Sequence, residues 1–350
     1  MNQDFLKEPA PATPGSGRAA YGGGVSKQGG RGRRRLAPRV ALVVLLALGV
    51  PPLGGCGGPE PPDRLLIASG NQGGVYYALG GALADAARQR WDARAENLET
   101  AASVENVHLL AAGQVDVAIV VADVVAAAVD GTAPFRAPVP LAALCRLHDD
   151  YVQLVVRAGS PVARLADLRG VRVSTGSRDS GTEMLADRIL RAGGLDPDRD
   201  LDRRRMGLGD AVRALREDLI DAFFFSGGLP TPAIAELARD TPIRLIPLVE
   251  YVQPLRDGYG ELYTARSVPA TTYELPDEVE TVGVGNLLVV RADLPDPTAY
   301  AITRLLFDAQ PDLVAAHREA HRINRQAGVA TFPVTLHPGA ADYFRDTKRF

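Results

Sequence analysis

Three stretches of this chain place small or polar residues directly ahead of an apolar run with helical spacing. They are Gly73-Gly74-Val75-Tyr76-Tyr77, Ser103-Val104-Glu105-Asn106, and the segment from Ser174 through Ser180-Gly181-Thr182. The free N–H groups at a helix start attract an anion, and the helix macrodipole adds to that attraction. Glycines let the backbone come close to a ligand, and hydroxyls and amides supply further donors. Several such starts facing one cleft would hold a small carboxylate. Each stretch also has a plainer reading. A Gly-rich turn is a common connection, Ser103 and Ser180 would serve as helix N-caps, and Tyr76 is amphipathic enough for a core position. Neither Gly-rich loop is a nucleotide motif, because no GxGxxG follows the first strand and no P-loop lysine follows either loop.

The elements around these stretches alternate. Apolar runs predict strands over 64–68, 95–98, 115–120, 151–156, 171–174, 222–225, 243–246 and 281–290. Helical spacing predicts helices over 76–91, 104–112, 123–129, 180–191, 210–216 and 232–239, with Gly113 and the pair Gly193-Gly194 as stops. Pro232 suits a first-turn position. Two or three helices, over 298–309, 313–324 and 340–345, close the chain. Strands alternating with helices predict an α/β fold of mainly parallel sheets. Two such blocks joined by a late strand predict two lobes, with the ligand cleft between them at the carboxyl ends of strands. Lobe one is expected at 64–155 and 284–350, and lobe two at 156–283.

The front of the chain has its own chemistry. A basic stretch around Arg33-Arg34-Arg35 precedes an apolar run of about 11 residues, too short for the ~20 needed to span a bilayer. Pro51-Pro52 and then Leu53-Gly54-Gly55-Cys56 follow. Basic region, short apolar core, small pair and cysteine are the order of a bacterial lipoprotein signal peptide. Residues 1–56 are therefore expected to be a leader with a lipidation site at Cys56, and 57–63 (GGPEPPD) a tether from lipid to domain. An uncleaved signal anchor is the alternative. The expected location is extracytoplasmic, held to the membrane by lipid.

Beyond Cys56 roughly 295 residues remain, enough for one large or two modest domains. The formal net charge is −3 with a basic leader, so the remainder is more acidic and has no basic stripe for nucleic acid. The second and last cysteine, Cys145, lies in Leu141-Ala142-Ala143-Leu144-Cys145, where a buried small hydrophobe is expected rather than a nucleophile.

Five segments in order give the chain a resemblance: IASGNQGGVYYALGGALA, TAASVENVHLLAAGQVDVAIVVAD, ADLRGVRVSTGSRDSGTE, IDAFFFSGGLPTPAIAELA and LHPGAADYF. Together they resemble the TAXI-type solute-binding proteins, the extracytoplasmic receptors of one class of tripartite ATP-independent periplasmic (TRAP) transporters. The resemblance spans 65–343. It implies a two-lobed periplasmic-binding fold (type II-like) that closes on a small organic anion, such as glutamate or a dicarboxylate, and delivers it to TRAP membrane permease subunits. It implies no cofactor and no metal. On it, Gly74, Tyr76, Ser103, Asn106, Asp123, Ser180, Gly181, Thr182 and Ser226 are ligand-contact candidates. The chain departs from the family pattern at Gly176-Ser177-Arg178-Asp179, where a charged pair interrupts small residues. It departs again at Ala101-Ala102, where a glycine is typical and a stiffer loop is expected.

Other constellations carry less. His317 and His321 stand at i and i+4, which is metal-ligand spacing, but the glutamate of a zinc-protease motif is misplaced and a solvated helix is expected. His148-Asp149-Asp150 reads as a surface turn rather than a carboxylate site, and Arg203-Arg204-Arg205, flanked by acids, as a solvated run. The function classes are a transport receptor, a lipid-anchored sensor on the same fold, and, least favoured, an enzyme on that fold.

Overall fold

The computed structural model describes residues 61–348. The leader, Cys56 and residues 57–60 of the tether lie outside the described residues. The chain begins with β1 (Arg64–Ala68), α1 (Val75–Trp91), β2 (Arg94–Leu98), α2 (Ser103–Ala111), β3 (Val117–Val121) and α3 (Ala122–Asp130). The long strand β4 (Leu141–Arg157) leads to β5 (Arg172–Ser174), α4 (Gly181–Ala192), β6 (Asp202–Arg204), α5 (Leu208–Arg216), β7 (Ala222–Gly227) and α6 (Pro232–Asp240). Then come β8 (Ile243–Ile246), α7 (Val252–Tyr259), β9 (Tyr263–Val268) and a second long strand, β10 (Val279–Arg291). Four helices close the chain: α8 (Asp296–Asp308), α9 (Gln310–Ala316), α10 (Arg325–Gly328) and α11 (Pro338–Asp346).

The strands run in the order β2-β1-β3-β10-β4-β7-β5-β6, with β8 also on β4 and β9 on β10. Each flank is parallel: β2-β1-β3 on one side and β7-β5-β6 on the other. Between the flanks β10 and β4 run antiparallel to their neighbours. β4 pairs with β10 as far as Tyr151 and with β7 from Tyr151 onward, so the two long strands carry the chain from one half of the molecule to the other.

Strand alternation builds the core on both faces. In β1 and β3, Leu65, Ile67, Val117 and Ile119 pack with Leu79 and Leu83 of α1 and Ile302 of α8. Their neighbours Ala68, Ala118 and Val120 pack with Val107 of α2 and Val124 of α3. In the second half Phe223 faces α5 and α6, and Phe224 belongs to the cluster that holds Leu185 and Ile189 of α4. Cys145 is fully buried within β4, and burial pushes its thiol pKa up.

Four local expectations are corrected. His148-Asp149-Asp150 is the middle of β4, not a surface turn, because paired backbone and partnered side chains hold it there; Asp149 pairs with Arg146 and, at 2.6 Å, with Arg266. Arg203 is not solvated: its side chain is 5% exposed and binds Glu183, Asp187 and Asp198. The helix expected over 313–324 breaks at His317. That backbone is extended, and the ring Nδ1 accepts the Glu319 N–H at 3.1 Å while Nε2 sits 3.1 Å from the Pro230 carbonyl. His317 and His321 therefore share no helix face; burial lowers the His317 pKa. Ser103, finally, is the first residue of α2 rather than its cap.

Candidate functional site

One cavity is lined by residues from both sides of β4 in the chain, 70–121 before it and 176–227 after it, together with Asp150 of β4 itself. The N-termini of four helices reach it: Gly74, Val75 and Tyr76 at α1, Ala102 and Ser103 at α2, Ser180, Gly181 and Thr182 at α4, and Leu208 at α5. A helix start carries the positive end of the dipole and N–H groups without intrahelical partners, and four such starts line this one space. The space is small, about 40 Å³. Val121, Met206, Phe224 and Phe225 add apolar wall. The halves touch around it. The Glu105 N–H donates to the Asp179 carbonyl at 3.0 Å, and the Ala233 N–H to that of Gly73 at 3.4 Å.

The floor comes from the crossing strands. Asp150 of β4 lines the cavity and is 2% exposed. Its Oδ1 accepts Asn286 Nδ2 of β10 at 2.6 Å, and its Oδ2 accepts the Ser226 hydroxyl of β7 at 3.0 Å. The Tyr76 hydroxyl donates to Asn286 Oδ1, so tyrosine, asparagine, aspartate and serine form one relay across three strands and a helix. Burial, and then the Asp150 charge, hold the Tyr76 phenol pKa well above its ordinary range, so it remains a neutral donor.

The rim is set by α2 and α4. Ser180 caps α4, its hydroxyl accepting the Glu183 N–H at 2.9 Å. Thr182 Oγ1 accepts the Ser226 N–H at 3.1 Å and ties α4 to β7. Gly181 sits against the other half: a Cβ there would lie 2.9 Å from Val121 Cγ1 and 3.0 Å from Ser103 Oγ. Ser103 Oγ accepts the Val121 N–H at 3.1 Å. The residue capping α2 is Ala102, at φ 90°, where a side chain is strained. Its loop is held by Glu105, which accepts the Ala101 N–H, and by Thr100. Arg203 and Arg205 both bind Glu183 and Asp198, fixing the first turns of α4 against β6.

Seven of the nine candidates thus border the cavity: Gly74, Tyr76, Ser103, Ser180, Gly181, Thr182 and Ser226. Asn106 and Asp123 do not. Asn106 spends its amide on the Ser69 and Ile119 carbonyls, at 2.7 and 2.8 Å, and its oxygen on Thr100. Asp123 binds Arg188 of α4 at 3.0 Å and the Tyr263 hydroxyl of β9 at 3.2 Å, an ion pair that bridges the halves. Burial raises its carboxyl pKa, against the pull of Arg188. Asp150 and Asn286 were not among the candidates. The signal available was a lone asparagine inside the apolar run Val284-Gly285-Asn286-Leu287-Leu288 and the charge at Asp150 beside an apolar strand.

Residues 67–347 match a sequence profile described as the NMT1-like family. Among solved structures, one described as a periplasmic transporter aligns over 81% of this chain and 92% of its own, at 10% identity and a TM-score of 0.51. The periplasmic aliphatic sulphonate binding protein SsuA from Escherichia coli aligns over 81% and 83%, at 16% identity and a TM-score of 0.45. The substrate binding protein of an amino acid ABC transporter aligns over 74% and 96%, at 12% identity and a TM-score of 0.41. The architecture is the periplasmic-binding-protein fold.

Proposed function

The chain belongs to the NMT1-like family, and on that premise we propose that it is an extracytoplasmic solute receptor. It binds a small organic anion, an amino acid such as glutamate or a dicarboxylate, and hands it to the permease subunits of a TRAP transporter, as the TAXI resemblance implies. The observation that carries this reading is the convergence of four helix N-termini on one cavity between two halves. Such a site is suited to holding an anion by backbone N–H groups and hydroxyls. Lobe one is 64–155 with 284–350, and lobe two is 156–283; β4 and β10 are the hinge. Gly74, Tyr76, Ser103, Ser180, Gly181, Thr182 and Ser226 contact the ligand, while Asn106 and Asp123 position the loops that do. Lipid on Cys56 anchors the receptor.

Calorimetric titration of the full chain with small carboxylic and amino acids, paired with small-angle scattering, tests this. One acid should bind and reduce the radius of gyration, as expected for hinge closure. Absence of binding across the panel, or steady consumption of the bound acid, would sink the receptor reading. The anchor is checked separately by mass spectrometry of the mature N-terminus, which should be an acylated Cys56.

A further inference from the structure

The cavity floor has a charge that the receptor reading does not use. Among the described residues no arginine, lysine or histidine lines the cavity, and its one charged side chain is Asp150, an anion in a site built for anions. A buried carboxylate without a counter-charge is costly. Its protein partners, Asn286 and Ser226, are both neutral. The basic group nearest to it is the buried His148, whose Nε2 stands 3.5 Å from Oδ1, beyond good hydrogen-bond length and a counter-charge only when the ring is protonated. A carboxylate has about four acceptor positions, and these two donors fill two of them. Those left open belong to a side chain that lines the cavity. The helix starts of α1, α2, α4 and α5 supply positive potential and Asp150 negative potential, so the cavity has two poles of opposite sign.

We infer that Asp150 is a specificity-determining residue that requires a cationic amine on the ligand, alongside the carboxylate held by the helix starts. This rests on the receptor reading and narrows it. Zwitterionic amino acids fit both poles, whereas a dicarboxylate places a second anion against Asp150. The relay from Tyr76 through Asn286 holds one carboxylate oxygen in place, and Ser226 holds the other, so the ammonium meets a preoriented acceptor.

Matched acids that differ only in the amine test this on the full chain: L-glutamate against glutarate, and L-leucine against 4-methylpentanoate, by calorimetric titration. In the pair that fits the cavity the amine-bearing member should bind roughly 10- to 100-fold more tightly, the range of a hydrogen bond to a charged group. In Asp150→Asn that preference should fall to within about threefold, mainly by weaker binding of the amine-bearing member. The wild-type ratio decides the question even if the variant does not fold. Glutarate or 4-methylpentanoate binding as tightly as its partner would overturn the role of Asp150 and leave the receptor reading standing. Binding by no member of either pair, nor by any acid of the wider panel, would remove both.

Discussion

The starts of α2 and α4 face each other across the cavity, and both carry a serine at the point where sequence predicts an N-cap. Only α4 uses it so. Ser180 precedes the helix and its hydroxyl takes the Glu183 N–H. Ser103 is already inside its helix, and its hydroxyl takes the Val121 N–H of the neighbouring strand instead. The α2 cap is Ala102, held at φ 90° while Glu105 and Thr100 bind the loop's N–H groups. One start is stabilised locally and the other by its tertiary neighbours, although their sequences look alike. A serine ahead of a helical run states that a hydroxyl is available; where the orphan donors lie decides its use.

Substitutions at the two starts should separate these roles. The largest effect is expected at Gly181→Val, whose Cβ meets Val121 and Ser103 and whose branches extend further. Overpacking this contact should hold the halves apart and weaken ligand binding roughly 100-fold. Scattering should then show a larger radius of gyration than wild type. Unchanged binding and radius would mean that α4 does not close onto α2. Ser103→Ala comes next, because it leaves the buried Val121 N–H without its acceptor, a loss of about 1–3 kcal/mol. Denaturant unfolding measures it. Ser180→Ala should cost about 1 kcal/mol as an ordinary cap deletion. Hydrogen exchange should rise in the first turn of α4 and not in α2. If the two serine variants behaved identically, the distinction between the starts would fall. The smallest effect, with opposite sign, belongs to Ala102→Gly. Relief of the strained backbone less the added freedom of the unfolded chain should stabilise by roughly 0.5–1 kcal/mol. A destabilised variant would show that the alanine methyl group is needed for packing.

Legibility in the sequence followed how local each determinant was. The α1 and α4 segments were readable because apolar spacing, a polar or glycine start and, for α4, a glycine stop all agree within a dozen or so residues. Six of the seven cavity-lining candidates lie in the helix-start stretches, where backbone donors are exposed by construction; Ser226 came from the family resemblance alone. Asp150 was not readable, because a charge run inside a strand resembles a turn until its partners are known. Those partners, Asn286 and Ser226, lie 136 and 76 residues away in the chain. Arg203 misled in the same way. Acids beside it in sequence suggested a solvated face, whereas Glu183 and Asp187, 20 and 16 residues earlier, bury it.

The sequence by itself determined the α/β alternation, the helix starts and the glycines that leave them open, since these depend on periodicity and on backbone freedom within a few residues. Tertiary structure alone decided which polar groups face the cavity and which are spent inside the protein. Asn106 and Asp123 have the same chemistry as ligand contacts, but their hydrogen bonds go to Ser69, Ile119, Arg188 and Tyr263. A buried polar group must find a partner. Whether that partner is protein or ligand depends on distances set by chain crossings at β4 and β10, which no local pattern encodes.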